Sequence, residues 1–418
     1  MVPHAVGALN ECDNLLTRAS RCPAKWYSGS VAAPGFIAIG SGPAGLSAAE
    51  TFRSKHPHIP VRILTTDSAL PYAKPPLSKA YLCGREANLD LHSAGWFVRH
   101  DVELVRGVTV DHIDLVHQEV VTEGGSRYPY WHLVLGCGAN AVPLAIPGGQ
   151  AALPLRSFAD ALILRMAART ADSAVVIGGG LIGCEAAATL ARLGVPTTMV
   201  AAEPVPLQRR FGDDVGDRVT KILSDNGVRF VGSTAVTDID DTHVHLATGG
   251  TVDGDVVVSA VGVRPDPHLA ANAGLDTCDG RIVVDEHMHT SARNVYAAGD
   301  VALAYNVTAG RRIRAEHWRD AAQQGRIAGL SAAGQPAAWR RVPEFSCTID
   351  ESTLKYCGWG SDYEHARLVD HGDGFTVYYE ANGDLVGVLT LNADDDYRCA
   401  TANLVAGTSN TVRAPSAR

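Results

Sequence analysis

The chain has 418 residues, 46% of them apolar, with 42 Gly, 21 Pro and a formal net charge of −9. At about 100–200 residues per domain, that length makes two to four domains with ample chain for a buried core. A mean hydropathy of +0.01 and the lack of any apolar run approaching the ~20 residues that span a bilayer exclude a membrane protein and a disordered one. The acidic balance likewise argues against nucleic acid as a partner.

Nine cysteines stand at 12, 22, 83, 137, 184, 278, 347, 357 and 399. They are odd in number, dispersed and never spaced C-x-x-C, so a disulfide framework, a zinc site and a thioredoxin-like dithiol all lack support, and no metal is expected. The stretch Met1–Asp13 has no charged n-region and too short an apolar run for a secretory signal, which points to a reducing, cytoplasmic location.

In chain order, residues 1–33 form an N-terminal extension to which the sequence assigns nothing. Residues 36–49 then read as an apolar strand, the turn Gly40-x-Gly42-x-x-Gly45, and small residues at helical spacing. The chemistry behind the spacing is specific. One glycine makes a tight turn, one lets the backbone approach a pyrophosphate, and one lets helix pack on strand, leaving the helix N-terminus to face the anion. The pattern recurs at 174–191 around Gly178-x-Gly180-x-x-Gly183. Two such units predict two nucleotide-binding domains.

Between them, Leu133–Gly138 followed by Pro143 and Pro147-Gly148 reads as a strand leaving the first domain and a linker into the second. After the second unit, Asp255–Pro265 is a buried strand ending in Gly and Pro, a return of the chain. Asn294–Asp300 is a short strand with a carboxylate at its carboxyl end, where ligands sit in doubly wound sheets, and a helix follows from about Trp318 to Gly329. From about Pro336 the pattern alternates, and Phe375–Glu380, Ala381-Asn-Gly-Asp384 and Leu385–Leu391 predict a hairpin. The expected class is α/β with two Rossmann-like domains and a C-terminal α+β domain. The divisions are 34–156 with 275–334, 157–274, and 335–418.

With these elements in place, the chain resembles the FAD-dependent pyridine-nucleotide oxidoreductases, in the branch of putidaredoxin reductase, ferredoxin reductases and apoptosis-inducing-factor-like flavoproteins, over about residues 34–400. The motifs are Leu70-Pro-Tyr-Ala-Lys-Pro-Pro-Leu-Ser-Lys-Ala-Tyr-Leu82, Val261-Gly-Val-Arg-Pro265, Gly280-Arg-Ile-Val-Val-Asp285, Tyr296-Ala-Ala-Gly-Asp-Val301 and Glu316-His-Trp318. The resemblance implies a glutathione-reductase-like fold, FAD on the discontinuous first domain and NADH or NADPH on the second. For FAD it implies Gly40, Gly42, Pro43, Ala44, Gly45, Lys74, Gly138, Gly299, Asp300, Glu316, His317 and Trp318. For the nicotinamide nucleotide it implies Gly178, Gly180, Leu181, Ile182, Gly183 and Gly262. Lys79 and Glu185 are expected to pair beside the reacting edge of the flavin, where a buried ammonium favours the reduced, anionic ring and the carboxylate keeps that charge from standing alone.

Four departures stand out. A ribose-binding acid belongs about twenty residues past each glycine turn; for FAD the aligned residue is Thr66, and Asp67 lies one place late. In the second unit Ala201 replaces the acid, leaving Glu203 as a substitute and Arg209-Arg210 close enough to attract a 2′-phosphate. An aromatic-rich stretch becomes Pro343-Glu-Phe-Ser-Cys-Thr-Ile349, so Ser346 stands where a tryptophan would, with Cys347 beside it as a further substrate-pocket candidate. The redox cysteine of peroxidase-type members is Pro76 here, and Cys83 and Cys184 read as packing residues.

Three functions follow. The leading one is an FAD-dependent NAD(P)H oxidoreductase that passes electrons to a ferredoxin-type iron–sulfur protein, docked on the clusters Arg311, Arg312, Arg314, Arg319 and Arg340, Arg341 as a monomer or homodimer. The alternatives are a flavoenzyme acting directly on a small organic substrate at Ser346, and a redox-responsive flavoprotein without turnover. Anaerobic mixing with NADH or NADPH separates them.

Overall fold

The computed structural model describes residues 33–85, 89–360 and 362–406; the extension before residue 33, with Cys12 and Cys22, lies outside them. The described residues open on β1 (Gly35–Ile39), α1 (Pro43–Lys55) and β2 (Val61–Thr65), followed by α2 (Ala94–Arg99), β3 (Val102–Arg106), β4 (Val110–Asp114), β5 (Glu119–Thr122) and β6 (Arg127–Leu135). These strands lie in the order β3-β2-β1-β6-β5-β4, with β1 parallel to both β2 and β6. All five residues of β1 are buried, the continuous apolar run of a parallel strand covered on both faces.

After β7 (Ala139–Ala141) and β8 (Leu153–Pro154), α3 (Phe158–Ala168) starts on a capping box in which the Ser157 hydroxyl and the Asp160 carboxylate each accept from the other's backbone N–H. Next come β9 (Ala174–Ile177), α4 (Leu181–Arg192), β10 (Thr197–Val200), α5 (Gln208–Phe211), α6 (Asp213–Asp225) and β11 (Val228–Val231). A three-stranded antiparallel sheet, β12 (Val236–Asp240), β13 (His243–Leu246) and β14 (Thr251–Asp253), precedes β15 (Val256–Ser259). The second parallel sheet runs β11-β10-β9-β15-β8.

The chain returns through β16 (Val263–Pro265), antiparallel to β7, and α7 (His268–Asn272). After β17 (Thr277–Cys278) and β18 (Arg281–Val284), β19 (Val295–Ala297) pairs parallel with β6, so residues far along the chain complete the first sheet. Then come β20 (Ala302–Asn306), β21 (Arg311–Arg314) and α8 (Trp318–Ala332), which runs one turn beyond the expected end. The last sheet holds β22 (Glu344–Ile349), β23 (Ser352–Gly358), β24 (His365–Asp370), β25 (Phe375–Ala381) and β26 (Asp384–Leu391), ordered β22-β23-β26-β25-β24, and α9 (Asp394–Ala406) follows. The predicted hairpin turns on Asn382 and Gly383, with φ of 53° and 81°, the left-handed pair of a type I′ turn. The α/β class with two parallel-sheet units and a C-terminal α+β unit is the one observed.

The packing that matters most for the site is α1 against α8. A Cβ on Gly325 would lie 2.0 Å from the Ala44 carbonyl oxygen, and one on Gly329 would lie 2.5 Å from that of Ala48. The two backbones touch because neither glycine has a side chain. Gly325→Ala forces the helices apart and should lower the unfolding free energy by about 1–3 kcal/mol, read as a reduced urea midpoint.

Candidate active site

The two glycine turns share one geometry. Gly40 and Gly178 have φ of 103° and 114°, and a Cβ on either would meet a backbone carbonyl, Gly136 O at 2.3 Å or Ala260 O at 2.5 Å. On Gly45 or Gly183 a Cβ would lie 2.0 or 2.2 Å from the carbonyl oxygen of Gly40 or Gly178. Those four glycines are sterically required. The middle glycines differ: nothing lies within 4 Å of the Cβ position of Gly42 or Gly180. Each is the N-cap of its helix with no side-chain cap and no acidic residue in the first turn. Pro43 and Ala44, and Leu181 and Ile182, open α1 and α4. Each turn is therefore a cradle of unspent N–H groups with room for a phosphate. Gly262 (φ 107°) also faces open space, and Gly299 (φ 82°) sits against Ala44.

Lys79 and Glu185 meet, the lysine Nζ lying 2.7 Å from the Glu185 carboxylate. The carboxylate is 4% exposed and has two further donors, the Ser78 hydroxyl at 2.5 Å and the Thr348 backbone N–H at 3.0 Å. Thr189 on α4 donates to the Ser78 carbonyl at 2.8 Å, fixing this segment on the helix that carries Glu185. One buried charge thus gathers the Pro75–Lys79 turn, α4 and β22. Sequence reasoning missed Ser78, although it lies inside the quoted motif, and Thr348, whose contribution is main chain.

Asp300 follows β19 and accepts from Arg156 at 2.9 Å; Arg156 also donates to the Ala139 carbonyl at 2.9 Å, beside Gly138. Arg281 donates to the Asp300 carbonyl at 3.2 Å and pairs with Glu316. Neither arginine was foreseen. Burial first, then Arg156, pushes the Lys74 ammonium down to about 8. That desolvated cation, within reach of the charges of Arg156, Asp67 and Asp300, suits a dinucleotide's phosphates, and together with the open glycine turn at Gly42 the residues present fit FAD. Asp67 has internal partners: Ala69 N–H and the Tyr72 hydroxyl, each at 2.9 Å, occupy one oxygen apiece, while Thr66 is exposed.

On the other side, Glu203 pairs with Arg209 at 2.9 Å, and Arg209 is 87% exposed. Ala201 is buried. Arg210 does not stay beside Arg209 at the surface: it donates to His317 Nε2 at 3.1 Å and stacks over Phe345. Ser346 is exposed, whereas Cys347 packs into the core with its thiol on the Leu181 carbonyl at 3.8 Å, since successive residues of a strand face opposite ways. Cys184 is fully buried. Cys83 is only half-buried and lies 2.7 Å from Arg192. Trp318 is half-buried at the start of α8.

A titratable group that the sequence did not flag is Asp320, in the first turn of α8. It is 1% exposed and its Oδ2 has no hydrogen-bond partner. Burial pushes its carboxyl up from 3.8 to about 7.

The sequence profile described as pyridine nucleotide-disulphide oxidoreductase matches residues 36–325. Among curated proteins, the chain is 31% identical over 337 residues to a rubredoxin-NAD(+) reductase of Pseudomonas putida, covering 78% of this chain and 87% of that one. It is 33% identical to a rhodocoxin reductase of Rhodococcus erythropolis, covering 87% and 88%. Among solved structures it superposes on the reductase of a covalent putidaredoxin reductase–putidaredoxin complex with a TM-score of 0.85 at 27% identity, covering 90% and 94%. No helix among the described residues is long and apolar enough to cross a membrane.

Asp320 sets a pH test. The folded chain holds this proton up to about 7 while the unfolded chain releases it near 3.8, so its contribution is full at acid pH and lost as the pH rises through 7. Relative to wild type, Asp320→Asn should therefore gain stability progressively between pH 4 and 7 and be the more stable protein at pH 8, measured by urea unfolding at each pH.

Proposed function

This chain belongs to the pyridine nucleotide-disulphide oxidoreductase family, and on that premise we propose that it is an FAD-dependent NADH oxidoreductase passing electrons to a ferredoxin-type iron–sulfur protein. The observation that carries the reading is the Lys79–Glu185 pair, in which an ammonium from the first glycine unit meets a buried carboxylate one turn into the helix of the second. FAD, when bound, accepts two electrons together from a dihydronicotinamide and gives them up singly to a one-electron acceptor.

The protein's share is placement and electrostatics. Residues 34–156 with 275–334 form the FAD-binding unit, in which Gly40, Gly42, Pro43, Ala44 and Gly45 take the pyrophosphate at the start of α1. Lys74, Gly138, Gly299 and Asp300 surround the dinucleotide, with Asp300 oriented by Arg156. Glu316, His317 and Trp318 run beside the ring, and Asp67 reaches the ribose through the lone pairs its internal partners leave. Residues 157–274 take the nicotinamide nucleotide through Gly178, Gly180, Leu181, Ile182, Gly183 and Gly262. Residues 335–418 close the site through β22. Lys79 holds positive charge at the reacting edge, and Glu185, with Ser78 and Thr348 N–H, fixes where that charge points.

Glu203 supports NADH over NADPH. It follows the position that Ala201 vacates, and by engaging Arg209 at 2.9 Å it leaves the cation nearest a 2′-phosphate already neutralised. The acceptor's surface is more restricted than the sequence suggests. Arg311 pairs with Asp362, Arg314 with Asp279, and Arg319 and Arg341 both with Glu344. Arg312 and Arg340 are exposed without an ion pair among the described residues, and they are the charges available to an acidic partner.

Anaerobic mixing of the FAD-loaded protein with NADH should bleach the flavin and, with ferredoxin present, reduce it; failure with both NADH and NADPH would instead support direct action on a small molecule. Lys79→Asn should keep FAD but slow bleaching at least about tenfold. Glu203→Ala should raise the KM for NADH about tenfold while leaving NADPH use unchanged or improved. Charge reversal at Arg312 and Arg340 should raise the KM for ferredoxin, with a shallower salt dependence, and leave NADH bleaching untouched.

A further inference from the structure

Arg210 is a half-buried cation that makes no ion pair among the described residues, with Glu316 the carboxylate that acts on it from a distance. Rings take the place of a contacting anion: its guanidinium carbon lies 4.4 Å from the centre of Phe345, 5.6 Å from Phe211 and 5.7 Å from Tyr356. A cation among aromatic faces is held by their quadrupoles, and a planar guanidinium can stack where an ammonium cannot. The polar contact of this caged guanidinium is to His317 Nε2 at 3.1 Å. A guanidinium only donates, so Nε2 is the acceptor and the imidazole is neutral. His317 is itself stacked on Phe345, with centroids 4.1 Å apart at 15°, and it is the N-cap residue of α8. Burial and Arg210 together hold the imidazole far down, to about 3.

The other end of this contact leads to the second glycine turn. Leu207, immediately before α5, takes a left-handed conformation (φ 61°, ψ 6°), which a branched residue keeps only where its surroundings impose it. What imposes it is visible: Leu207 is buried, and its N–H donates to the Gly179 carbonyl at 2.9 Å. The single helical turn that follows sends adjacent arginines apart. Arg209 goes to Glu203 at the surface and Arg210 goes inward. Gly179, Leu207, Arg210, His317 and the start of α8 are thus linked contact by contact, across the two glycine units and against β22 of the third.

We propose that Arg210 is a positioning residue that transmits occupancy of the second glycine turn to the start of α8 through His317. The inference rests on the reading above, in which the start of α8 lies beside the flavin. A nucleotide settling at Gly178–Gly183 loads the Gly179 carbonyl's neighbourhood, Leu207 carries the displacement into α5, and the caged guanidinium passes it to the helix terminus. Arg210 touches no reacting atom.

The test is a double-mutant cycle on the FAD-loaded protein with Arg210→Gln, His317→Gln and the pair together. For each, the flavin midpoint potential is measured by reductive titration with and without saturating NAD+, and visible circular dichroism reports the ring's surroundings. NAD+ should shift the wild-type potential. In Arg210→Gln the coupling factor behind that shift should fall to less than about a third, with the pair losing no more than the worse single change, because the effect runs through one contact. A wild-type potential indifferent to NAD+, an unaltered shift in Arg210→Gln, or losses that add in the pair would each overturn the proposal. Phe345→Leu, which removes the stacking face and keeps both partners, should reproduce the loss if Arg210→Gln does not fold. A wild type that shows the shift but reduces no ferredoxin leaves this inference standing and removes the electron-transfer reading; reduction of ferredoxin without the shift does the reverse.

Discussion

The structure is organised around a single buried carboxylate. Glu185 takes a hydroxyl, an ammonium and a backbone N–H from two separate stretches of chain, the Ser78-Lys79 pair and Thr348, and a charge so enclosed is tolerable only while all are in place. The Pro75–Lys79 turn, the second glycine helix and the edge strand of the last sheet are therefore not free to settle independently. Whatever fixes α4 also fixes Lys79, the group on which the proposed chemistry depends. Backbone donation from Thr348 matters here because it ties β22 to the site whatever side chains that strand carries.

Around that point the protein uses two ways of placing charge. At the glycine turns it removes side chains until backbone N–H groups face open space. On the far side it inserts Arg210 among Phe211, Phe345 and Tyr356 with no ion pair among the described residues. Between them, Arg156 and Arg281 lock the Asp300 and Glu316 region by bonding both side chains and main chain. The helix pair α1 and α8 completes the frame, since Gly325 lets the start of α1 lie directly against the middle of α8.

How much of this was legible depended on the range of the force involved. The glycine turns could be read because their requirement is steric and local: Gly40 and Gly45 constrain each other five residues apart. The hairpin at Asn382-Gly383 was readable for the same reason. Lys79 and Glu185 needed the family resemblance, since nothing local pairs residues 106 positions apart. Arg156, Ser78 and Arg210 were not legible, because charge pairing has no period and their partners lie 144, 107 and 107 positions away. Reading Arg209-Arg210 as one patch failed on helix geometry, which turns successive side chains about 100° apart. Ser346 and Cys347 were joined for want of the strand's phase, and the arginine clusters looked basic because Asp279 and Asp362 lie far along the chain from Arg314 and Arg311, while Glu344, near Arg341 in sequence, also reaches the distant Arg319.

Gly42 and Gly180 carry one more implication. In the proposed reading both helix starts recruit anions with partial charges on aligned peptide groups, and such a field fades within the first turn. The binding of polyanionic dinucleotides is thereby decoupled from the long-range field of the molecule, which is repulsive at a net charge of −9. A nucleotide gains nothing from a distance and almost everything on contact, so ionic strength should govern the meeting with a protein acceptor far more than the hold on either dinucleotide.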